Sequence, residues 1–383
     1  MVHDFAVVGA GIAGLSVAAR LSEQASVVLI ERESQPAYHS SGRSAAVFIE
    51  GYESPLVAGL TRASREFFLQ QPGEFCEHPL LHPLGGLTLA SAQQVSSFEN
   101  HLRTWQPENP DLHEISVDEA ISRLPILNAE HIKRVCFDPS MQSIDVHELL
   151  TGFRRQLKAT GGELVLGQEV TALQRAEESW TVSTRATNSV DAAPQEFWAH
   201  TLVNAAGSWC EELAELAGLP GVGLTPLRRT AILCALPEWP EAPDGPASPS
   251  AWPMVHDCDN TLYFKPDACA LMVAPADEHP SAPCDAQPED MDVAIALERF
   301  QQATTMKVDR VQHTWAGLRT FAPDRNPCVG FDPLTTNFYW LGGQGGFGVQ
   351  TSPALSALAA DDLLGVQEIP EQLRRQLHVS RFR

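Results

Sequence analysis

The chain has 383 residues, 44% hydrophobic and 19% charged, which is long enough for two domains with packed cores. Its formal net charge of −22 excludes the basic surface that nucleic-acid backbones or anionic membranes require. No apolar run approaches the roughly 18 residues of a membrane span, and the opening residues leave no room for an export leader, so we expect a cytoplasmic location without membrane or nucleic-acid partners. The eight cysteines (Cys76, Cys136, Cys210, Cys234, Cys258, Cys269, Cys284, Cys328) are scattered without a Cys-x-x-Cys pair and read as reduced thiols. No His/Cys cluster has ligand spacing, so no metal site is expected.

In chain order, the first element is an apolar run that enters Gly9-Ala-Gly11-Ile-Ala-Gly14, followed by a helical segment and a second β-branched run ending at Glu31. This is the order of a βαβ dinucleotide fingerprint. Gly9 permits the tight turn, Gly11 lets backbone approach a pyrophosphate, and Gly14 lets helix and strand pack. The helix start at Ile12 and Ala13 offers free N–H groups, and Glu31 accepts from a ribose; the pattern alone leaves NAD and FAD open. His39-Ser-Ser-Gly-Arg-Ser-Ala-Ala46 reads either as a second approach to a pyrophosphate or ring, or as a Ser-capped helix start with a solvated Arg.

Ser54 to Gln71 has helical spacing, strand-like pieces lie near Gly86 to Ala90 and Val135 to Phe137, and a helical stretch spans Val117 to Leu124. Asp145 caps a helix that stops at Gly161-Gly162. Four strands follow, at Glu163, Glu169, Trp180 and Phe197 to Val203, and the last delivers Asn204-Ala-Ala-Gly-Ser-Trp209 to a helix start. Short strands at Leu224 to Leu236, Thr261 to Lys265 and Ala270 to Ala274 are separated by Pro-rich connections, Pro237 to Pro253 and Pro275 to Pro288, which we read mainly as surface loops. Glu289 to Ala303 is a helix and Val311 to Gly317 a strand. Five glycines from Gly342 to Gly348 then separate a strand from a helix, an arrangement that lets backbone lie against a flat ring.

These segments, with Thr314-Trp-Ala-Gly-Leu-Arg-Thr320, Pro323-Asp324 and Gln344-Gly-Gly-Phe-Gly-Val-Gln-Thr351, resemble the FAD-dependent D-amino-acid oxidase superfamily over nearly the whole chain. Phe75-Cys-Glu-His-Pro-Leu-Leu81 and Tyr263-Phe-Lys-Pro-Asp267 are similar to the bacterial D-arginine dehydrogenases within it. The resemblance implies an α/β fold: a Rossmann-like FAD domain of glutathione-reductase type (1–50, 139–217 and 315–383) and a substrate domain on a mixed or antiparallel sheet (51–138 and 218–314).

It also implies FAD, held without a covalent bond because Gly317 stands where sarcosine-type oxidases carry the attaching Cys. Cofactor contacts would come from Gly9, Gly11, Ile12, Ala13, Gly14, Glu31 and Arg32, and from Ser40, Ser41, Arg43, Ser44, Ala45 and Ala46. Val170, Ala205, Ala206, Gly207 and Trp209 would form the middle of the site, and Arg319, Gly343, Gly345, Gly346, Phe347, Gly348, Gln350 and Thr351 its flavin end. Arg319 and Arg229 would hold a substrate carboxylate, with Tyr263 in the site, Tyr52 on a covering loop and the Gly346 backbone facing the amine.

Val47, Ile49 and Gly86 would set specificity. Gly86 replaces the Glu that recognises a guanidinium, so the expected substrate is a neutral or apolar D-amino acid, oxidised by hydride transfer to flavin N5 to give an imino acid, then a 2-oxo acid and ammonia. A secondary amine, N-alkyl, sarcosine-like or opine-like, is the alternative, and a non-catalytic flavoprotein a third. The electron acceptor, whether oxygen, quinone or carrier protein, is left open.

Overall fold

The computed structural model describes residues 1–70, 73–176, 178–189, 193–236, 249–267 and 270–383. β1 (Val2–Val8), α1 (Ile12–Leu21) and β2 (Val27–Ile30) form a βαβ unit in which Phe5 pairs with Val27 and Val8 with Ile30 in parallel. On its other side β1 lies parallel to the strand Gln195–Asn204, so β1 is a central strand, and Ala6 and Val7 are fully buried as two covered faces require. Strand Phe338–Gly342 continues this sheet in parallel, Trp180–Ala186 antiparallel, and eight strands join among the described residues. Helices α1, Val146–Ala159 and Gly348–Leu363 supply Leu15, Phe153 and Leu355 to one core beneath it.

The β1–α1 turn shows why its glycines are there. A Cβ on Gly14 would stand 1.8 Å from the Gly9 carbonyl oxygen, and one on Gly9, at φ +99°, would stand 2.5 Å from the carbonyl oxygen of Ala205. Backbone packs directly on backbone at both positions. Gly11 differs: the nearest atom to its Cβ position is Ser41 Oγ at 3.4 Å.

A second sheet, of nine strands among the described residues, is built on the long pair Thr225–Ala235 and Val311–Phe321, with Arg229 opposite Gly317 and Leu227 opposite Arg319. The sequence reading ends that second strand at Gly317. The ladder runs on because Leu318 and Phe321 are buried, and so it carries Arg319 inside the sheet. Ala270–Ala274, Tyr263–Asp267, Met254–Asp257 and Gly86–Ala90 extend the sheet. In its register His256 pairs with both Thr88 and Tyr263, which places these three side chains on one face.

The predicted helix after Ser54 is Pro55–Phe68, with Ser54 Oγ accepting the Val57 N–H; Gln71 lies outside the described residues. Most of the Pro237 to Pro253 connection (237–248) and Cys269 also lie outside them, and the other seven cysteines are free. The helix Val95–Trp105 has no counterpart in the sequence reading. No helix among the described residues is long and apolar enough to cross a membrane.

That helix packs on strand Gly86–Ala90 through Phe98 and a pair of imidazoles. Thr88 Oγ1 lies 3.0 Å from His256 Nε2 and 3.5 Å from His101 Nε2, and the two rings are 5.9 Å apart. Burial, with the neighbouring His256, pushes His101 down to about 4, and burial lowers His256 as well.

Two outcomes follow for cofactor-free protein. Gly14→Ala destabilises it in denaturant melts by roughly 2–3 kcal/mol or more, because backbone must move to admit the methyl, whereas Gly11→Ala changes stability by less than about 1 kcal/mol. Between about pH 6.5 and about 4 the unfolded chain takes up a proton that folded His101 refuses, so stability falls as pH falls through that window. The loss attributable to His101 reaches up to about 3 kcal/mol in total across the window, and His101→Phe removes that loss.

Candidate active site

Three cavities with shared walls run end to end from the β1–α1 turn to the face of the second sheet. The first lies over the turn, between Gly9, Gly11, Glu31 and the segment Ala205-Ala206-Gly207, with Val170 and Trp209 on its outer wall. Glu31 is 8% exposed; its Oε2 accepts the Ala10 N–H at 2.7 Å and its Oε1 the Glu33 N–H at 2.9 Å. Burial raises its pKa against those two bonds, and each oxygen keeps a lone pair for a hydroxyl donor. The Arg32 guanidinium stacks over Trp209 at 5.2 Å.

The 39–46 segment forms turns, not a helix. Ser41 Oγ accepts the Ile12 N–H at 2.9 Å, so this segment supplies the cap that Gly11 cannot give α1. Ser40 Oγ donates to the Leu318 carbonyl, and Arg43 Nη1 donates to the carbonyls of Ala316 at 2.9 Å and Ala286 at 3.1 Å, while Nη2 pairs with Asp285. The Arg43 guanidinium is thus spent on protein, although the residue, like Ile12, Ala13, Ser44 and Ala45, lines the second cavity.

Opposite them in that cavity lie Gly343, Gly345, Gly346, Gly348 and Arg319. A Cβ on Gly345 would stand 2.2 Å from the Phe321 ring, and one on Gly346 would stand 2.7 Å from Arg319 Nη1. The glycines therefore form a side-chain-free floor directly beneath a guanidinium. Gly14, Phe347 and Thr351 are not on the walls: Phe347 packs 6.3 Å from Phe321, and Thr351 Oγ1 bonds the Phe347 carbonyl at 2.9 Å.

The third cavity encloses about 1650 Å3, counting its open mouth, between Ala46, Val47, Ile49, Tyr52 and the second sheet. Gln350 on its wall is 4% exposed; its Oε1 accepts the Ile49 N–H at 2.9 Å, and its buried Nε2 has no partner among the described residues. A buried amide donor without a protein acceptor, set on a cavity wall, is free to meet an acceptor atom of a ligand. Together with the open side of Gly11 and the glycine floor, it fits a dinucleotide that ends in a flat, acceptor-rich ring.

The cations here are unequal. Arg229 donates through Nε to the Asp277 carbonyl at 2.8 Å and through Nη2 to Glu278 Oε1 at 3.0 Å, while burial and the neighbouring Arg319 lower its pKa. Arg319 is half-buried and its one bond among the described residues is from Nη2 to the Tyr263 hydroxyl at 3.3 Å. Burial opposes its charge, but the field of Tyr263, Tyr52, Glu278 and Asp277 outweighs this and raises its pKa. Glu278 itself is fully engaged: Arg325 holds both its oxygens, at 3.0 and 3.1 Å, and Arg325 also pairs with Glu53 beside Tyr52.

Gly86 does not reach the cavity, because Met141 Sδ stands 2.0 Å from where its Cβ would be. His101, Trp105, Met254 and His256 do line it, and none was singled out from the sequence. The signal for two of them was present: Val95, Phe98, Leu102 and Trp105 have helical spacing, behind a Ser91–Gln94 capping box.

A family model described as FAD dependent oxidoreductase (DAO) matches residues 4–362. The chain is 26% identical to FAD-dependent oxidoreductase domain-containing protein 1 of Bos taurus over 416 residues, covering 94% of this chain and 81% of the relative. It is 26% identical to L-2-hydroxyglutarate dehydrogenase of Escherichia coli K12 over 238 residues, 59% of this chain and 53% of the relative. Among solved structures, L-proline dehydrogenase from P. horikoshii superposes with a TM-score of 0.79 at 18% identity, over 100% of this chain and 98% of that one. Glycine oxidase from Geobacillus kaustophilus gives 0.80 at 19%, over 96% and 95%. These named relatives replace the D-arginine dehydrogenases to which the sequence segments pointed. The chain belongs to the DAO family of FAD-dependent oxidoreductases, with the DAO-type FAD-binding fold.

Proposed function

We propose that the protein oxidises the C–N bond of an α-amino acid with non-covalently held FAD, the substrate being of D configuration and neutral or apolar in its side chain. The observation that carries this reading is Arg319: a half-buried guanidinium whose one bond among the described residues is to a neutral phenol, held over a glycine floor at the junction of the second and third cavities. A carboxylate is the ligand such a fork matches, with two parallel charge-assisted bonds. The fold shared with structures named glycine oxidase and L-proline dehydrogenase supports an amine donor, and the D configuration is the part of the reading that the substrate panel decides.

Bound FAD supplies a two-electron acceptor for the hydride that leaves the α-carbon. Arg319 holds the carboxylate, and Tyr263 fixes the guanidinium plane, so the α-carbon is positioned against the floor at Gly346. Tyr52, kept in place by the Glu53–Arg325 pair, closes the mouth and limits water. The nitrogen lone pair forms the C=N bond as the hydride departs, so the amine must arrive unprotonated. Water then converts the imino acid to a 2-oxo acid and ammonia.

A panel of D- and L-amino acids, N-alkyl amino acids and 2-hydroxy acids, mixed anaerobically with purified flavin-loaded protein, tests the reading. D-amino acids bleach the flavin fastest; bleaching by hydroxy acids alone, or by nothing, refutes it. Arg319→Met lowers kcat/KM by about 100-fold or more in the same assay, and Arg319→Lys recovers only part of it. A second outcome concerns Arg325, which keeps the Glu278 carboxylate occupied. Arg325→Ala frees that carboxylate to pair with Arg319 in competition with substrate. KM then rises roughly tenfold while kcat changes less, and adding Glu278→Gln reverses the rise.

A further inference from the structure

The third cavity extends well beyond the carboxylate anchor, and its far end is walled by His101 and Trp105 from helix Val95–Trp105 and by Met254 and His256 from the second sheet. Gly51 leans on the Trp105 ring, since a Cβ there would meet it at 3.1 Å, so the Tyr52 loop and this helix close the same space. The hydrogen bonds at this end run in one direction. The Asp257 carbonyl, 3.3 Å from His256 Nδ1, can only accept, so His256 carries its proton there and its Nε2 accepts from the Thr88 hydroxyl at 3.0 Å. Thr88 has then used its proton and accepts from His101 Nε2 at 3.5 Å. The remaining nitrogen, His101 Nδ1, is left a bare acceptor with no partner among the described residues.

We propose that His101 reads the end of the substrate side chain: its Nδ1 accepts a hydrogen bond from a neutral donor, a hydroxyl, amide N–H or ring N–H, on a substrate whose carboxylate Arg319 holds. Trp105 and Met254 cover the apolar part of such a side chain. A cationic end group finds no free buried carboxylate here, because Glu53 and Glu278 are paired with Arg325 and Arg229, and Asp259 is exposed at the rim. An anionic end group would require protonated His101, which burial beside His256 disfavours. Thr88 and His256 act as positioning residues, since they fix which nitrogen of His101 is bare.

This inference rests on the carboxylate anchor of the proposed function, so the test pairs turnover with binding. The flavin-loaded protein is titrated with 3-(4-hydroxyphenyl)propionate and 3-phenylpropionate, which carry the carboxylate but no amine, and binding is read from the flavin absorbance. D-Tyr and D-Phe are compared in turnover. The hydroxylated member of each pair is favoured by about tenfold or more; in His101→Phe that ratio falls to near one, and in His101→Gln, which keeps an acceptor, it is largely retained. A ratio near one in the unmodified protein, or a ratio that survives His101→Phe, overturns the assignment, as does tighter binding of a cationic or dicarboxylic analogue. If no amino acid is turned over but the propionates still bind with the hydroxyl preference, the proposed reaction fails and the role of His101 stands.

Discussion

A guanidinium that is half-buried and whose one bond among the described residues is to a hydroxyl is an expensive thing to keep, and much of the site is arranged around keeping Arg319 in that state. A carboxylate close by would quench it. Glu278 is near enough to raise its pKa, yet both Glu278 oxygens are held by Arg325 and one also by Arg229. The charge is therefore stabilised through space without being consumed by a direct pair. Tyr263 contributes a dipole that orients the fork and leaves its other donors open toward the cavity.

The same strand ties this anchor to the nucleotide groove. Val311–Phe321 carries Arg319, and its carbonyls at Ala316 and Leu318 receive Arg43 and Ser40 from the segment whose Ser41 caps α1. The register between the glycine floor and Arg319 is thus set by hydrogen bonds between backbone and the side chains of Ser40, Ser41 and Arg43. Such bonds hold the two walls of the site at a fixed spacing.

The β1–α1 turn was legible in the sequence because its tightest constraint is local. Gly14 acts within one βαβ unit, where its Cβ position falls on the Gly9 carbonyl, whereas Gly9 also meets Ala205, just past the distant strand Gln195–Asn204, and Glu31, read as a ribose acceptor, takes the Ala10 N–H. The far wall was not legible, because it is assembled from a helix near residue 100, a strand near residue 255 and Thr88, whose proximity exists only once parallel pairing sets His256 opposite Thr88. Gly86 illustrates the opposite failure. Its sequence context gave it a role in selectivity, but the space in front of it is filled by Met141 from another loop, which no spacing rule reports.

Anchor and far wall also differ in what holds them. Arg319 sits on the strand bonded to the cofactor groove, whereas His256 lies four strands further across the sheet, beyond Thr225–Ala235, Ala270–Ala274 and Tyr263–Asp267, and His101 lies on a helix outside the sheet. Residues at that distance can change without disturbing the backbone acceptors that seat Ser40 and Arg43, although His256 still adjoins Tyr263, the partner of Arg319. A fold built this way can exchange the residues of its far wall while the cofactor groove stays in place, in keeping with relatives of low identity whose names specify different donors. Selectivity in this chain is accordingly sought where the helix meets the sheet, at the one imidazole nitrogen that the hydrogen-bond chain leaves bare.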